Sequence, residues 1–222
     1  MSETDLLTRP KGKESRRARI IREAHKMIGE DGYDGLSLRK LATASGVTVP
    51  TIYNLIGSKE QILIELFRAW IGQIETELDE IDEDQPLELA EAIITKAIGL
   101  IRQDEVFFRA AHLALNRLIE ADTNRAQFDQ FGHKASSMQI TAVSLAQQQG
   151  LLKGLVPAHV LGTQIFFNYN EASRYWMFGR NTLDEFQNAA LTGLYLNFLA
   201  DASDDFAPEL RQRLSQMASL NL

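Results

Sequence analysis

Apolar residues recur at three- and four-residue intervals along almost the whole of this 222-residue chain, and alternation with period two is nowhere sustained. A chain with that single periodicity buries helix faces against helix faces and has no strand to pair. No Asn-Gly or Asp-Gly hairpin lies between alternating runs. The expected class is therefore all-α, with about nine to ten helices. Ile20, Ile21, Ala24, Met27 and Ile28 line a first helix ended by Asp31-Gly32, and Ser37 stands where the next needs an N-cap. Ser45-Gly46-Val47 reads as a tight turn, followed by a short helix from about Val49 to Ile56 with Pro50 in its first turn. Ser58, with Gln61 three residues on, caps a long helix. An acidic turn is expected at Asp82-Glu83-Asp84-Gln85-Pro86. Further helices follow from Pro86, Asp104, Arg125 and Ala158, a strong one ends near Ala202, and a weaker one covers Pro208 to Leu220.

Charge is unevenly placed along these helices. The net charge is −7 and the pI about 5.2, which disfavours nucleic acid for an evenly charged chain. Residues 1–60, however, hold 11 Lys and Arg against 8 Asp and Glu, while residues 61–222 hold 12 against 22. Eight of the basic residues fall between Arg9 and Lys26. A small basic head on an acidic body fits a head that meets a polyanion. Three parts are expected: a flexible basic arm over 1–14, a small basic head over 15–60, and a larger acidic body over 61–222. Cysteine is absent, which removes disulfides, thiolate metal sites and thiol nucleophiles. No apolar run reaches the ~18 residues of a membrane span. Met1-Ser2-Glu3-Thr4-Asp5 begins no secretory signal, so a cytoplasmic protein without a membrane partner is expected.

Within the head, three short helices with a turn at Ala44-Ser45-Gly46-Val47 fit a helix-turn-helix, with Leu41, Ala42, Val47 and Ile52 as its small core. In such a motif the second helix enters the major groove by its N-terminal residues. Here these are Thr48, Val49, Pro50 and Thr51, short side chains whose methyls and hydroxyls suit base edges. Arg39, near the start of the preceding helix, is long enough to reach guanine or phosphate. A plain three-helix bundle would satisfy the same core pattern.

The strings Ser37-Leu38-Arg39-Lys40-Leu41-Ala42, Ser45-Gly46-Val47-Thr48, Thr51-Ile52-Tyr53-Asn54 and Gly57-Ser58-Lys59-Glu60 closely resemble the TetR family of bacterial ligand-responsive repressors, over roughly residues 15–65. The resemblance implies that Tyr53 and Lys59 contact phosphate, Lys59 from a helix N-terminus that adds partial positive charge. It implies that Ser37 caps its helix and touches backbone phosphate, and that Thr48, Pro50 and Thr51 face the groove. Asn54 is counted with them. Leu55 and Ile56 depart from the usual His or aromatic and Phe, and Leu55 offers phosphate no polar contact.

The body shows no phosphate loop, no Walker lysine and no nucleophile elbow. Its histidines form no metal motif, so neither metal nor cofactor is expected, and no carboxylate pair or nucleophile–base arrangement argues for an enzyme. Phe108, His112 and Asn116 share one helix face among apolar neighbours, where unpaired polar groups cost about 1–3 kcal/mol. They are either hydrogen-bonded core or pocket lining. Phe166, Phe167, Asn168, Tyr169, Tyr175 and Trp176 offer aromatic surface with polar handles. Together with the inducer site of the resembled family, this makes Trp70, Ile74, Phe108, His112, Asn116, Met138 and Trp176 the candidate lining. The last two long helices read as a homodimer face, with Ala189-x-x-x-Gly193 for close approach and Phe186, Ala190, Leu194, Asn197 and Phe198 spreading the contact.

The resulting expectation is a repressor that leaves a palindromic operator when a small, mostly apolar inducer binds. The alternative is a ligand-independent architectural or cell-division factor on the same fold.

Overall fold

The computed structural model describes residues 4–78, 81, 84–121 and 125–219. Among them are ten helices and no strand. The helices are α1 (Thr4–Gly35), α2 (Leu38–Ala44), α3 (Val49–Leu55), α4 (Lys59–Leu78), α5 (Pro86–Gln103), α6 (Glu105–Glu120), α7 (Arg125–Gln148), α8 (Ala158–Met177), α9 (Leu183–Asp201) and α10 (Ala207–Ser219). The all-α expectation holds. Residues 4–14, read above as an arm, lie in α1, while residues 1–3 and Asp82 and Glu83 of the acidic turn lie outside the described residues. No described helix is long and apolar enough to cross a membrane.

Two compact units divide the chain, and not at residue 60: one comprises residues 1–70 and 104–128, the other 71–103 and 129–222. The first unit therefore holds α6 as well as the head. In it Ile20, Ala24 and Ile28 of α1 are fully buried, and Phe107 and Ala111 of α6 are buried too. The α1 stripe thus follows the predicted spacing, and Gly32, at φ +72°, breaks the helix where Asp31-Gly32 was expected to end it. Asp104 caps α6 by accepting the Phe107 amide at 3.2 Å, and its other oxygen lies 3.6 Å from His25 Nε2. The His25 ring stacks on Phe107 with centroids 3.7 Å apart.

The second unit is built on α5, α7, α8, α9 and α10. Trp176, Phe186 and Phe198 are its largest fully buried side chains, each stabilising by about 1.5–3 kcal/mol relative to exposure. Two glycines set helix spacing by lacking a side chain. A Cβ on Gly162 of α8 would sit 2.6 Å from the Ile140 backbone of α7, and one on Gly193 of α9 would sit 2.9 Å from Asn168 Cβ of α8. Thr182 and Glu185 form a capping box at the start of α9, worth about 1 kcal/mol. Tyr195 of α9 donates to Glu91 of α5 at 2.7 Å, and Arg213 of α10 reaches the same carboxylate at 3.2 Å. Asp201, almost fully buried, accepts the Gly154 and Leu155 amides at 3.0 and 2.8 Å and so pins the loop between α7 and α8.

Candidate nucleic-acid interface

The turn between α2 and α3 is closed by backbone bonds: Ser45 N–H to Leu41 O at 2.9 Å, Gly46 N–H to Thr43 O at 3.1 Å, and Val47 N–H to Ala42 O at 2.9 Å. Gly46 takes φ +60°, a left-handed conformation that costs other residues energy. Leu41, Ala42 and Ile52 are buried and Val47 is half-buried, as the core pattern requires. Thr48 caps α3, accepting the Thr51 amide at 3.3 Å, and the two threonine hydroxyls lie 2.8 Å apart. Pro50 occupies the first turn, where no amide donor is missed. Thr48, Pro50, Tyr53 and Asn54 are exposed and Thr51 is partly so. A two-turn helix with one buried residue, Ile52, thus turns Pro50, Tyr53 and Asn54 outward and leaves Val49, Thr51 and Leu55 half-buried.

The other predicted contacts border this helix. Arg39 is exposed. Ser37 holds the N-cap position of α2, but its side chain makes no capping bond among the described residues. Its expected capping role is therefore not seen, because the hydroxyl does not reach the first free amides of the helix. Ser58 and Gln61 cap α4 reciprocally, the Ser58 amide donating to Gln61 Oε1 at 2.8 Å. Lys59 Nζ donates to Asp34 O at 3.2 Å and sits 4.4 Å over the Tyr33 ring. That leaves the ammonium oriented and partly exposed. Burial, with Glu60 and Asp34 nearby, pushes the Tyr33 phenol up, so Tyr33 stays a neutral support for the lysine.

Two arginines that the sequence singled out only as part of a basic run have distinct places. A Cβ on Gly46 would stand 3.7 Å from Arg19 Nη2, which puts an exposed guanidinium beside the turn. Arg17 is turned toward Leu55 O, to which it donates at 3.0 Å. Neither placement has a signal in spacing alone, since all arginines of α1 look alike in sequence.

Residues 20–66 match the family of bacterial regulatory proteins called tetR. Residues 20–66, which span α2, α3 and the start of α4, are thus similar to the N-terminal DNA-binding segment of that family. The chain's relatives include the fatty acid metabolism regulator protein of Bacillus subtilis (strain 168), 32% identical over 96 residues. That match covers 42% of this chain and 50% of the relative, so it spans half of that protein's length. The regulator EthR of Mycolicibacterium smegmatis is 26% identical over 164 residues, 71% of this chain and 72% of that protein. Among solved structures, FadR from Bacillus subtilis in complex with stearoyl-CoA is 22% identical, with TM-score 0.60 over 82% of this chain and 97% of that one. A TetR transcription regulator from Haloarcula marismortui reaches TM-score 0.67 at 14% identity, over 86% and 100% of the two chains. At such identities the structures establish a common fold.

The candidate ligand residues are dispersed among different environments. In the first unit, His112 stands among aromatic rings, with centroids 5.0 Å from Phe67, 5.8 Å from Trp70 and 6.3 Å from Phe108. Its Nδ1 lies 2.8 Å from Phe108 O. Burial pulls the imidazolium down to about 4 against that backbone bond, so the ring is neutral at pH 7. Trp70 Nε1 is buried without a partner among the described residues. Asn116 does not share this box: it donates to Glu120 one turn on, at 2.8 Å. In the second unit Ile74 is buried, Met138 is half-buried, and Trp176 is fully buried and stacked on Phe186 with centroids 6.0 Å apart. Trp176 is core, whereas Phe167 and Tyr175 on the same helix are exposed.

The expected dimer face also needs correction. Phe186, Ala190, Leu194 and Phe198 are buried inside the monomer. Gly193 makes its close approach to Asn168 of the same chain. The outward side of α9 instead carries Glu185, Ala189, Thr192 and Leu196, which with Asn168, Ala172 and Tyr175 of α8 line an open groove of about 640 Å³. The physical reason is that α9 has small or apolar residues on both sides, Ala189 and Leu196 outward and Phe186 and Phe198 inward, so its spacing fits either facing.

Proposed function

We propose that this protein is a homodimer that represses by binding a palindromic operator and is released by a small, mostly apolar ligand. The observation that carries the DNA reading is the exposed end of α3: capped, backed by one buried isoleucine, and preceded by a turn with Arg19 beside it. On this reading Thr48, Pro50, Thr51 and Arg39 meet base edges, while Ser37, Tyr53, Asn54 and Lys59 meet the backbone. Two-fold pairing then places the recognition helices about 34–36 Å apart, or somewhat more on deformed DNA. Pairing through the groove of α8 and α9 follows from its exposed Tyr175 and Leu196, 46% and 53% accessible.

Support for a mostly apolar ligand comes from two sides. The similar FadR structure holds stearoyl-CoA, and the aromatic group around Trp70 and His112 supplies apolar surface with a spare indole donor. A ligand that releases DNA must itself be weakened by DNA, by the same factor, typically 5–150-fold. The ligand-independent reading draws on a different observation: His112 is packed among aromatic rings and held by the Phe108 carbonyl of its own helix, as a residue of a closed core is.

Selection of duplexes from a random pool tests the operator reading. Wild type is expected to enrich a palindrome, Thr51→Ala to relax one base position, and Tyr53→Phe to weaken all duplexes alike. Enrichment without two-fold symmetry would reject the palindrome, and uniform losses for Thr51→Ala would reject its role as a base reader. Ligand titration with and without the selected duplex tests the release, and equal affinity in both arms rejects that candidate as inducer.

A further inference from the structure

Arg16, Arg17, Arg19 and Arg22 crowd one stretch of α1, and three of them are exposed. Arg17 differs. Its Nη1 donates to the carbonyl of Leu55, the last residue of α3, at 3.0 Å. Its Nη2 pairs with Glu65 Oε2 on α4, and the other oxygen of that carboxylate receives Arg68 Nη1 at 2.6 Å. The Glu65 side chain is only 17% accessible. A polar chain therefore runs from α4 through α1 to the C-terminal end of α3, all within the first unit.

Helix ends leave carbonyls without intrahelical partners and carry partial negative charge, which a guanidinium satisfies on both counts. Arg is suited to join a carbonyl and a carboxylate at once, because its donors form a planar fork. The need for such a tie is set by α3 itself. With Ile52 as its one buried residue, apolar packing fixes its orientation weakly. Seven residues make a helix about 10 Å long, so a tilt of about 10° at Leu55 displaces Thr48 by nearly 2 Å, enough to break a hydrogen bond to a base edge.

We infer that Arg17 and Glu65 form a latch that sets the pose of α3, so that both govern operator recognition without touching DNA. This rests on the DNA reading above. Arg17 is then a positioning residue, not another phosphate contact, and an acidic residue, Glu65, favours binding to a polyanion.

The last point makes the latch separable from electrostatics. Glu65→Gln removes a negative charge, so charge alone predicts tighter binding to every duplex. The latch predicts about tenfold weaker binding to the duplex selected by wild type, the size expected for a lost charge-assisted hydrogen bond. It predicts no loss on a scrambled duplex of the same length and composition. Arg17→Lys, which keeps the charge but not the fork, is expected to lose a similar factor. The salt slope on the selected duplex stays unchanged in both variants, and the double variant loses no more than either single one. Full-length protein is used throughout, with far-UV circular dichroism on each sample.

Equal or tighter binding by Glu65→Gln overturns the latch. So does a salt slope lowered by about one unit in Arg17→Gln, the mark of a phosphate contact. Loss of helical signal in both Glu65→Gln and Arg17→Lys at the assay temperature also overturns it, as the residues then serve only the fold. A wild type that enriches no duplex overturns the DNA reading together with the latch, whereas variants that bind like wild type overturn the latch alone.

Discussion

Helices α3 and α9 are specified in opposite ways. α3 has one buried residue among seven, and its limits are written by neighbours in sequence: a threonine cap, a proline in the first turn, a left-handed glycine just before. α9 buries nine of its 19 residues, and its facing is written by helices far away in the chain. Local rules act on α3 whatever surrounds it, so motif and geometry agree. For α9 the same spacing admits two rotations, and only the partner Asn168 and the fit of Phe186 and Phe198 choose one. A helix is legible in sequence to the extent that its surroundings are sequence neighbours.

The largest expected effect tests that choice of rotation. Gly193→Glu forces a Cβ to within 2.9 Å of Asn168 Cβ and a carboxylate into the α8–α9 contact. It is expected to cost at least about 3 kcal/mol of folding stability, measured by chemical denaturation. Near-wild-type stability would return Gly193 to an interface between copies.

A second test uses the packing of His112 in α6, another residue whose role depends on distant rings. The folded state resists protonation until about pH 4, whereas the unfolded chain takes up the proton near 6.5. Stability from this group is therefore complete above pH 6.5 and declines as pH falls toward 4, by up to about 3 kcal/mol. His112→Leu should flatten that part of the denaturation profile. If the wild-type and variant profiles keep the same slope between pH 7.5 and 4.5, the ring is not held away from protons.

Leu196→Glu addresses the outward side of α9. Folding stability should change by less than about 0.5 kcal/mol, while self-association measured by sedimentation velocity should weaken about tenfold or more. A wild type that is monomeric at micromolar concentration removes this face from consideration. The smallest effect belongs to α3: Thr48→Ala should lower stability by about 1 kcal/mol through the lost cap. No change in the denaturation midpoint would mean that the cap seen at 3.3 Å holds nothing in solution.

Much of the head was legible from residue type and spacing: the turn at Gly46, the start of α3 near Val49, the buried Ile52, the capping pair Ser58 and Gln61; the cap at Thr48 was not read. The inward turn of Arg17 was not, since a carbonyl partner 38 residues away leaves no trace in a charge pattern. In the body, the helices were legible and their facings were not. Asn116 illustrates the limit: its spacing from His112 is right for a shared face, but Glu120 one turn on offers a charged acceptor nearer to water. The membership of α6 in the first unit was likewise unreadable, because its hydrophobic stripe does not say which helix will cover it.

The hydroxyls of Thr48 and Thr51, 2.8 Å apart, share a single proton bridge that can run either way. When Thr51 gives its hydrogen to Thr48, it turns lone pairs outward; when Thr48 gives, the hydrogen of Thr51 is free to point away. The swap needs only two bond rotations. The pair can therefore present either a donor or an acceptor, and a partner outside the protein settles which. On the DNA reading proposed above, one base edge fixes the direction of the bridge, and Thr51→Ala removes both the bridge and the preference it carries.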